Sequence, residues 1–241
     1  MKIIEATWEK RNLGVDGCEF HIELHDEIEN VFPIIDNYYM EYQVMRIPCG
    51  NTSVLLEAQK KGFEFIEMSI HLQKNMSEVY VPDMYRRFMP YLSFEYANEE
   101  EKRNVLEIVR EKEMFVTDKV ARDPYFGSKK AGIRYSYWLE EILNTKGKLL
   151  IVRYKDIKVG FDVCVDKGNG VVEAVLGGVF PEYENKGLGF APIYLLLKSA
   201  QNTDVKKMVV TVSSNNMAIL RLHEAFGFRI ESMSYVLFKH I

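Results

Sequence analysis

A buried strand, a glycine-containing turn and a helix follow one another late in the chain, and this order constrains the fold most strongly. The apolar run that ends at Val179 predicts a covered strand, because β-branched residues suit a pleated, buried surface. Pro181 ends that strand, since it has no N–H for a ladder. Leu188 to Ala200 then places apolar residues at helical spacing. The pattern predicts an α/β fold in which Gly187 and Gly189 lie just before a helix.

Such a turn has chemistry of its own. Free backbone N–H groups and the positive end of the helix dipole favour a bound phosphate or pyrophosphate. Glycine assists because it has no Cβ to block the approach of the anion to the backbone. An ordinary strand-to-helix turn would carry the same glycines, so the turn by itself leaves both interpretations open.

The surrounding residues favour the anion site. Residues 179–189 read Val-x-Pro-x-Tyr-x-x-Lys-Gly-Leu-Gly, which resembles the pyrophosphate turn of the GNAT acyltransferase superfamily. Asn216 to Phe228 is similar to the Asn-x-x-Ala-x-x-Leu-Tyr-x-x-x-Gly-Phe helix of that family. The resemblance implies a GNAT fold and an N-acetyltransferase that uses acetyl-coenzyme A (acetyl-CoA).

The same resemblance implies where the coenzyme binds. The strand 171–179 would separate from its neighbour and pair with the pantetheine arm through backbone groups. Asn216 would cap its helix, bind the arm through its side-chain amide, or do both. The implied coenzyme residues are Gly178, Val179, Phe180, Glu184, Asn185, Lys186, Gly187, Leu188, Gly189, Phe190 and Asn216.

Two residues of the turn depart from the family pattern. Glu184 stands where arginine or glutamine is usual, and Asn185 replaces a common glycine. An exposed carboxylate near a pyrophosphate costs about 1 kcal/mol of binding free energy. Lys186 and the turn amides offset that cost, so we expect weakened coenzyme binding rather than its loss.

Two residues are candidates for catalysis. His223 occupies the position where the family commonly has a tyrosine that protonates the departing thiolate, and imidazolium is a competent general acid near neutrality. Water, Tyr235 or a purely structural His223 are the alternatives. Glu173 lies where several GNAT branches place a base that acts through water. A carboxylate among valines is costly unless it is paired or solvated, but a strand-end glutamate facing solvent would fit the same sequence.

An internal repeat suggests two domains. Asn51 to Phe63 has the same Asn-to-Gly-Phe spacing as Asn216 to Phe228, and a strand pattern follows each copy. No Gly-x-Gly turn precedes the first copy. The sequence therefore predicts an incomplete GNAT-like domain in residues 1–88 and a complete catalytic domain in residues 89–241, with coenzyme binding confined to the second.

A narrower resemblance concerns the acceptor. Thr117 to Phe126 and Tyr135 to Trp138 are similar to an aromatic segment of the TDP-fucosamine acetyltransferase branch, whose members acetylate the amine of a nucleotide-linked amino sugar. Tyr125 and Trp138 are the candidate walls of an acceptor pocket, although such aromatics more often lie in the core. A peptide, a polyamine, an antibiotic amine, or a non-catalytic acyl-CoA sensor are the other functions considered.

Composition and cysteine spacing exclude several other classes of protein. A formal charge of −4 provides no basic surplus for nucleic acid. No apolar run is long enough to span a bilayer. The three cysteines are widely separated and lack metal-ligand spacing with the histidines, which indicates a reduced, cytoplasmic setting and no metal site. The expected partner is a small-molecule amine; the oligomeric state stays open, and a homodimer is compatible with the sequence.

Overall fold

One mixed sheet runs through the computed structural model, which describes residues 1–76, 79–201 and 203–241. Within these residues the strands are β1 (Lys2–Glu5), β2 (Gly17–His21), β3 (Tyr42–Pro48), β4 (Glu64–Asn75), β5 (Leu92–Tyr96), β6 (Gly147–Tyr154), β7 (Ile157–Gly168), β8 (Val171–Val179), β9 (Lys207–Ser213) and β10 (Arg229–His240). The helices are α1 (Trp8–Asn12), α2 (Ile28–Ile35), α3 (Thr52–Lys60), α4 (Asp83–Arg86), α5 (Glu99–Glu111), α6 (Lys119–Arg122), α7 (Gly127–Thr145), α8 (Ala191–Ala200) and α9 (Met217–Ala225). Short 3₁₀ helices lie at Met89–Tyr91 and Pro181–Tyr183.

The strand order does not follow the chain. The sheet runs β1-β2-β3-β10-β4-β9-β8-β7-β6-β5, so the last strand of the chain lies between two strands of its N-terminal part. Neighbours are antiparallel except for the parallel pairs β2–β3 and β8–β9. The predicted α/β fold class is confirmed, and the sheet is mixed.

The internal repeat is visible in the structure, and each copy pairs one of its strands with a strand of the other copy. The first copy is β3-α3-β4 and the second is β9-α9-β10, but β10 pairs with β3 and β4 pairs with β9. Ile47 lies opposite Tyr235, and their counterparts Val212 and Ile70 lie opposite each other in the same way. Ser69 lies opposite its own counterpart, Ser234. The two copies are therefore related by a local two-fold axis between β4 and β10. The domain boundary at residue 88 stays a prediction.

The two repeat helices begin and end alike because the same residues stand at their ends. Asn51 and Asn216 each accept a hydrogen bond from the backbone N–H three residues further on. Gly62 and Gly227 follow the helices with φ of 86° and 83°, the left-handed conformation that helix ends favour.

The sheet buries a different helix layer on each side. One face packs against α8 and α9 through an apolar cluster that includes Leu72, Phe190 and Phe226. The opposite face packs against α5 and α7 through Val109 and Phe161, and further along the sheet against α6. We call these the α8 face and the α7 face. Across the described residues we find no helix with the length and apolar character that a membrane span requires.

Candidate functional site

The central cleft arises because β8 and β9 pair over only part of their length. Their ladder joins Val171–Ala174 to Lys207–Val210. β8 nevertheless stays paired with β7 as far as Val179, with a bulge at Val175. Beyond Ala174 the two parallel strands separate, and the edge of β8 offers unpaired backbone groups to the gap. This is the separation that the resemblance implies, and a cleft of about 950 Å³ opens around it.

The turn before α8 presents unpaired backbone donors. No described residue accepts a hydrogen bond from the N–H groups of residues 185–190. Asn185 and Gly187 have φ of 59° and 75°. Asparagine tolerates this region better than most residues, which explains how it replaces a glycine at 185. A Cβ at Gly187 would meet only Phe88 at 3.6 Å, so the backbone angle rather than space requires glycine there.

The side chains of the turn are of two kinds, buried apolar ones and exposed charged ones. Leu188 and Phe190 are buried in the cluster on the α8 face, so their side chains hold the turn in place. Glu184 and Lys186 are exposed and form no ion pair with any described residue; the Lys186 Nζ lies 4.9 Å from the ring centroid of Tyr183. Lys186 is therefore free to attract an incoming anion, and Glu184 is placed to repel it.

Asn216 has a spare donor that its counterpart lacks. In the first repeat the Asn51 side chain caps α3 and donates to the carbonyls of Glu23 and Asp26 at 3.2 and 2.9 Å. In the second, Asn216 caps α9, lines the cleft, and its amide nitrogen has no acceptor among the described residues. Asn216 is thus a helix cap with an amide available to a ligand.

His223 lines the cleft and is held as a neutral ring. It is 5% exposed, and its Nδ1 lies 2.9 Å from the carbonyl oxygen of Ile219. A carbonyl only accepts, so Nδ1 carries the proton and Nε2 keeps a lone pair. Burial lowers the pKa of His223, although the bond to Ile219 opposes that shift. At neutral pH this ring is equipped to accept a proton at Nε2. The alternative acid, Tyr235, packs in a separate cluster with Phe20 and does not line the cleft.

The other predicted site residues separate into two groups. Gly178, Glu173 and Trp138 line the cleft; Glu173 is half-exposed and bonded to Lys167 at 3.0 Å. Val179 packs in the cluster on the α8 face, and Phe180 stacks on Phe161. Tyr125 is 74% exposed, stacks on His240 with ring centroids 4.0 Å apart, and is not part of the cleft wall.

Sequence reasoning missed Asp162. It is 6% exposed, lines the cleft on the α8 face, and its Oδ1 has no hydrogen-bond partner among the described residues. Gly177 lies opposite, where a Cβ would stand 2.8 Å from the carboxyl carbon. Burial raises the pKa of Asp162 well above its ordinary value, against a smaller opposing effect of the Val163 backbone. The sequence feature that could have identified Asp162 is its position as the one charged residue in the apolar run 159–165.

Asp162→Asn should change how stability depends on pH. The native state keeps a proton that the unfolded state releases above about pH 4, so Asp162 costs increasing stability as the pH rises toward its native pKa. Asparagine does not ionise. As the pH rises from 4, we expect the free energy of unfolding of Asp162→Asn to increase relative to that of the parent. Urea denaturation at each pH measures this difference. Asp166→Asn, at an exposed position of the same strand, is the control; parallel curves for Asp162→Asn and parent would contradict the assignment.

Comparison with known proteins agrees with this geometry. The model of the Acetyltransferase (GNAT) family matches residues 115–228, which include the β8 edge, the turn and α9. A GCN5-related N-acetyltransferase from Sphaerobacter thermophilus is 13% identical with a TM-score of 0.57, over 83% of this chain and 59% of that one. A conserved protein of unknown function from Staphylococcus epidermidis is 12% identical with a TM-score of 0.59, over 93% and 84%. A fungal GCN5-related glucosamine N-acetyltransferase region is 12% identical with a TM-score of 0.60, over 83% and 25%.

These likenesses show the fold, and no curated protein matches the sequence. The chain spans 59% of the length of the Sphaerobacter thermophilus structure. The family model covers residues 115–228, and the chain shares the fold of the GCN5-related N-acetyltransferase from Sphaerobacter thermophilus.

Proposed function

We propose that this protein is an acetyl-CoA-dependent N-acetyltransferase that transfers the acetyl group directly to a small primary amine. The observation that carries the proposal is an unpaired strand edge beside a turn whose N–H groups at residues 185–190 have no acceptor among the described residues; Gly189 of that turn lines the cleft. The turn fits a pyrophosphate. The edge of β8 fits an extended arm that pairs as an added strand would. Bound acetyl-CoA supplies a thioester carbon that an amine can attack.

Residues of the chain have distinct tasks in this proposal. The amide of Asn216 binds the pantetheine arm, while backbone N–H groups of β8 stabilise developing negative charge on an acyl oxygen. His223 takes a proton from the acceptor nitrogen at Nε2 and releases it to the departing thiolate, so its role as general acid follows a step as base. Glu173 assists through water at the open side of the cleft.

We assign catalysis to residues 89–241 and regard residues 1–88 as an incomplete GNAT-like domain. The strand exchange and the matching caps of α3 and α9 support common descent of the two halves. No glycine turn precedes α3, so the first half has no second coenzyme site in this assignment.

The leading acceptor is a nucleotide-linked amino sugar. The aromatic segment resemblance favours it, and the fungal structure of the same fold is described as a glucosamine N-acetyltransferase region. Trp138 in the cleft wall offers a flat ring to a sugar face. A peptide, a polyamine or an antibiotic amine would use the same transfer chemistry.

Thiol release from acetyl-CoA with a panel of amines tests the proposal. We expect turnover with at least one amine, and labelled acetyl-CoA incubated with a metabolite extract should identify the product by mass spectrometry. Coenzyme binding without turnover of any amine would favour the rival, a non-catalytic acyl-CoA sensor. The exposed carboxylate of Glu184 in the turn is the observation that favours that rival.

A further inference from the structure

Acetyl transfer removes two protons from the acceptor nitrogen, and the two need different carriers. A primary alkyl amine at neutral pH is an ammonium ion, like the lysine side chain with its pKa of about 10.4, and its nitrogen has no lone pair for the attack. The first proton must therefore leave before the attack and end in solvent. The second leaves as the C–N bond forms and the C–S bond breaks, and it converts the departing thiolate into a thiol. His223 is 5% exposed, which suits the second proton; the first needs a group in contact with solvent.

Thr211 and His71 form a polar pair at the point where β8 and β9 separate. Thr211 follows Val210, the last residue of β9 that pairs with β8. Val210 packs in the apolar cluster on the α8 face, so Thr211 points to the α7 face, because successive side chains of a strand alternate. His71 lies opposite Thr211 on β4, and its Nδ1 is 2.9 Å from the Thr211 Oγ1. Both side chains are exposed, and both line the cleft.

The two faces of the sheet offer an acceptor different surroundings at this point. On the α8 face the sheet is covered, because Leu72 and Val210 pack in the apolar cluster there. On the α7 face Thr211 and His71 are accessible. An ammonium that enters from the α7 face therefore meets the Thr211 hydroxyl beside the edge of β8. His223 lies on α9, which packs on the opposite face, so the two histidines are placed to serve the acceptor and the departing thiolate separately.

The groups around His71 favour a neutral ring that can hold an added proton. Desolvation by the surrounding protein is the main effect that lowers the pKa of His71, and the like charge of Arg46 on β3 adds to it. Glu231 on β10 and Glu173 on β8 oppose this lowering of the pKa, because a nearby carboxylate favours the imidazolium form. The ring is therefore a neutral acceptor at neutral pH, and the two carboxylates stabilise the imidazolium once it has formed.

We propose that Thr211 and His71 together remove the first proton from the acceptor ammonium and deliver it to solvent. The Thr211 hydroxyl accepts a hydrogen bond from the ammonium and donates its own to Nδ1 of His71. The proton passes through this hydroxyl to Nδ1, and His71 releases a proton from Nε2, which has no partner among the described residues, to water. A neutral amine remains, and exchange with water restores the starting tautomer. The inference rests on the proposed function, and it gives the N-terminal half, through β4, a direct part in proton transfer.

The tautomers of the two histidines test this arrangement without turnover. Nitrogen NMR of protein labelled in its histidine rings should show His71 with its proton on Nε2 at neutral pH, because Nδ1 accepts from Thr211. His223 should show the opposite tautomer, because its Nδ1 donates to the carbonyl of Ile219. The spectra of His71→Gln and His223→Phe assign the signals. A proton on Nδ1 of neutral His71 would overturn the inference.

Chemical rescue tests the proton transfer itself. His71→Ala should lower kcat/KM for the amine found in the panel by about 10²- to 10⁴-fold, the usual contribution of a general base, and should leave the affinity for acetyl-CoA unchanged. Imidazole added to the assay should restore part of the activity, after subtraction of the rate without protein, because the open cleft admits a base where the side chain was removed. Thr211→Val should lose about as much, and the double variant should lose no more than either single one, because the two groups act as a unit.

A control and the contrary outcomes complete this experiment. His25→Ala, at an exposed histidine, should turn over as the parent does, with and without imidazole. Unchanged kcat/KM in His71→Ala, a loss that imidazole does not reduce, or additive losses in the double variant would overturn the inference while leaving the proposed function intact. Absence of turnover by the parent would overturn the proposed function, and the inference with it.

Discussion

Replacement of His223 by phenylalanine is expected to lower kcat by about 10²- to 10⁴-fold, the usual contribution of a general acid or base. The affinity for acetyl-CoA should hardly change, because a proton carrier acts in the transition state rather than in coenzyme binding. Phenylalanine fills a similar buried volume but cannot carry a proton. Steady-state kinetics with the amine found in the panel, together with calorimetry for acetyl-CoA, measure the two effects separately.

The pH profile gives an independent readout for His223. Burial lowers its pKa from the ordinary value of about 6.5, and only the neutral ring accepts a proton. The parent kcat should therefore fall on the acid side, below pH 6.5, and this limb should be absent in His223→Phe. His223→Tyr should restore part of the activity, whereas His25→Phe, at an exposed histidine, should behave as the parent. A parental rate in His223→Phe would make His223 a structural residue and leave proton transfer to water.

Replacement of Gly187 by valine should abolish detectable coenzyme binding. Gly187 adopts a φ of 75° in the turn before α8, where a β-branched residue is strained. To relieve that strain the turn must change its backbone path, which changes the directions of the N–H groups of residues 185–190. Calorimetry with coenzyme A and with acetyl-CoA measures the loss.

Two variants show whether the lost binding reflects the turn itself. Gly168→Val introduces comparable strain at a φ of 83° at the end of β7, away from the cleft, and should retain coenzyme binding. Glu184→Gln removes the exposed charge beside the same N–H groups and should bind coenzyme equally or more tightly, with a gain that shrinks at high salt. Unchanged affinity in a folded Gly187→Val protein would refute the site assignment.

The sequence by itself determined those features whose causes lie within a few residues. The strand that ends at Val179, the glycine turn before α8 and the helix cap of Asn216 each depend on local backbone preferences, and the structure has all of them. The internal repeat was visible for the same reason, because each copy keeps its own cap and terminal glycine.

Tertiary structure alone decided which strands pair and which polar groups meet. The residue pattern of a strand does not identify its neighbouring strands, so no local sequence feature predicted that β10 lies between β3 and β4. Glu19, Arg46 and Lys119 are far apart in the chain, but Arg46 and Lys119 both form hydrogen bonds with Glu19; Glu19 and Arg46 alternate with apolar residues as in any strand with one solvated face, and Lys119 lies on a short helix. Asp162 reads as an isolated acid until Gly177 lies against it. The strand edge and the turn before α8 were predictable because their signals are contiguous in the chain; the polar wall of the cleft was not, because long-range strand pairing assembles it.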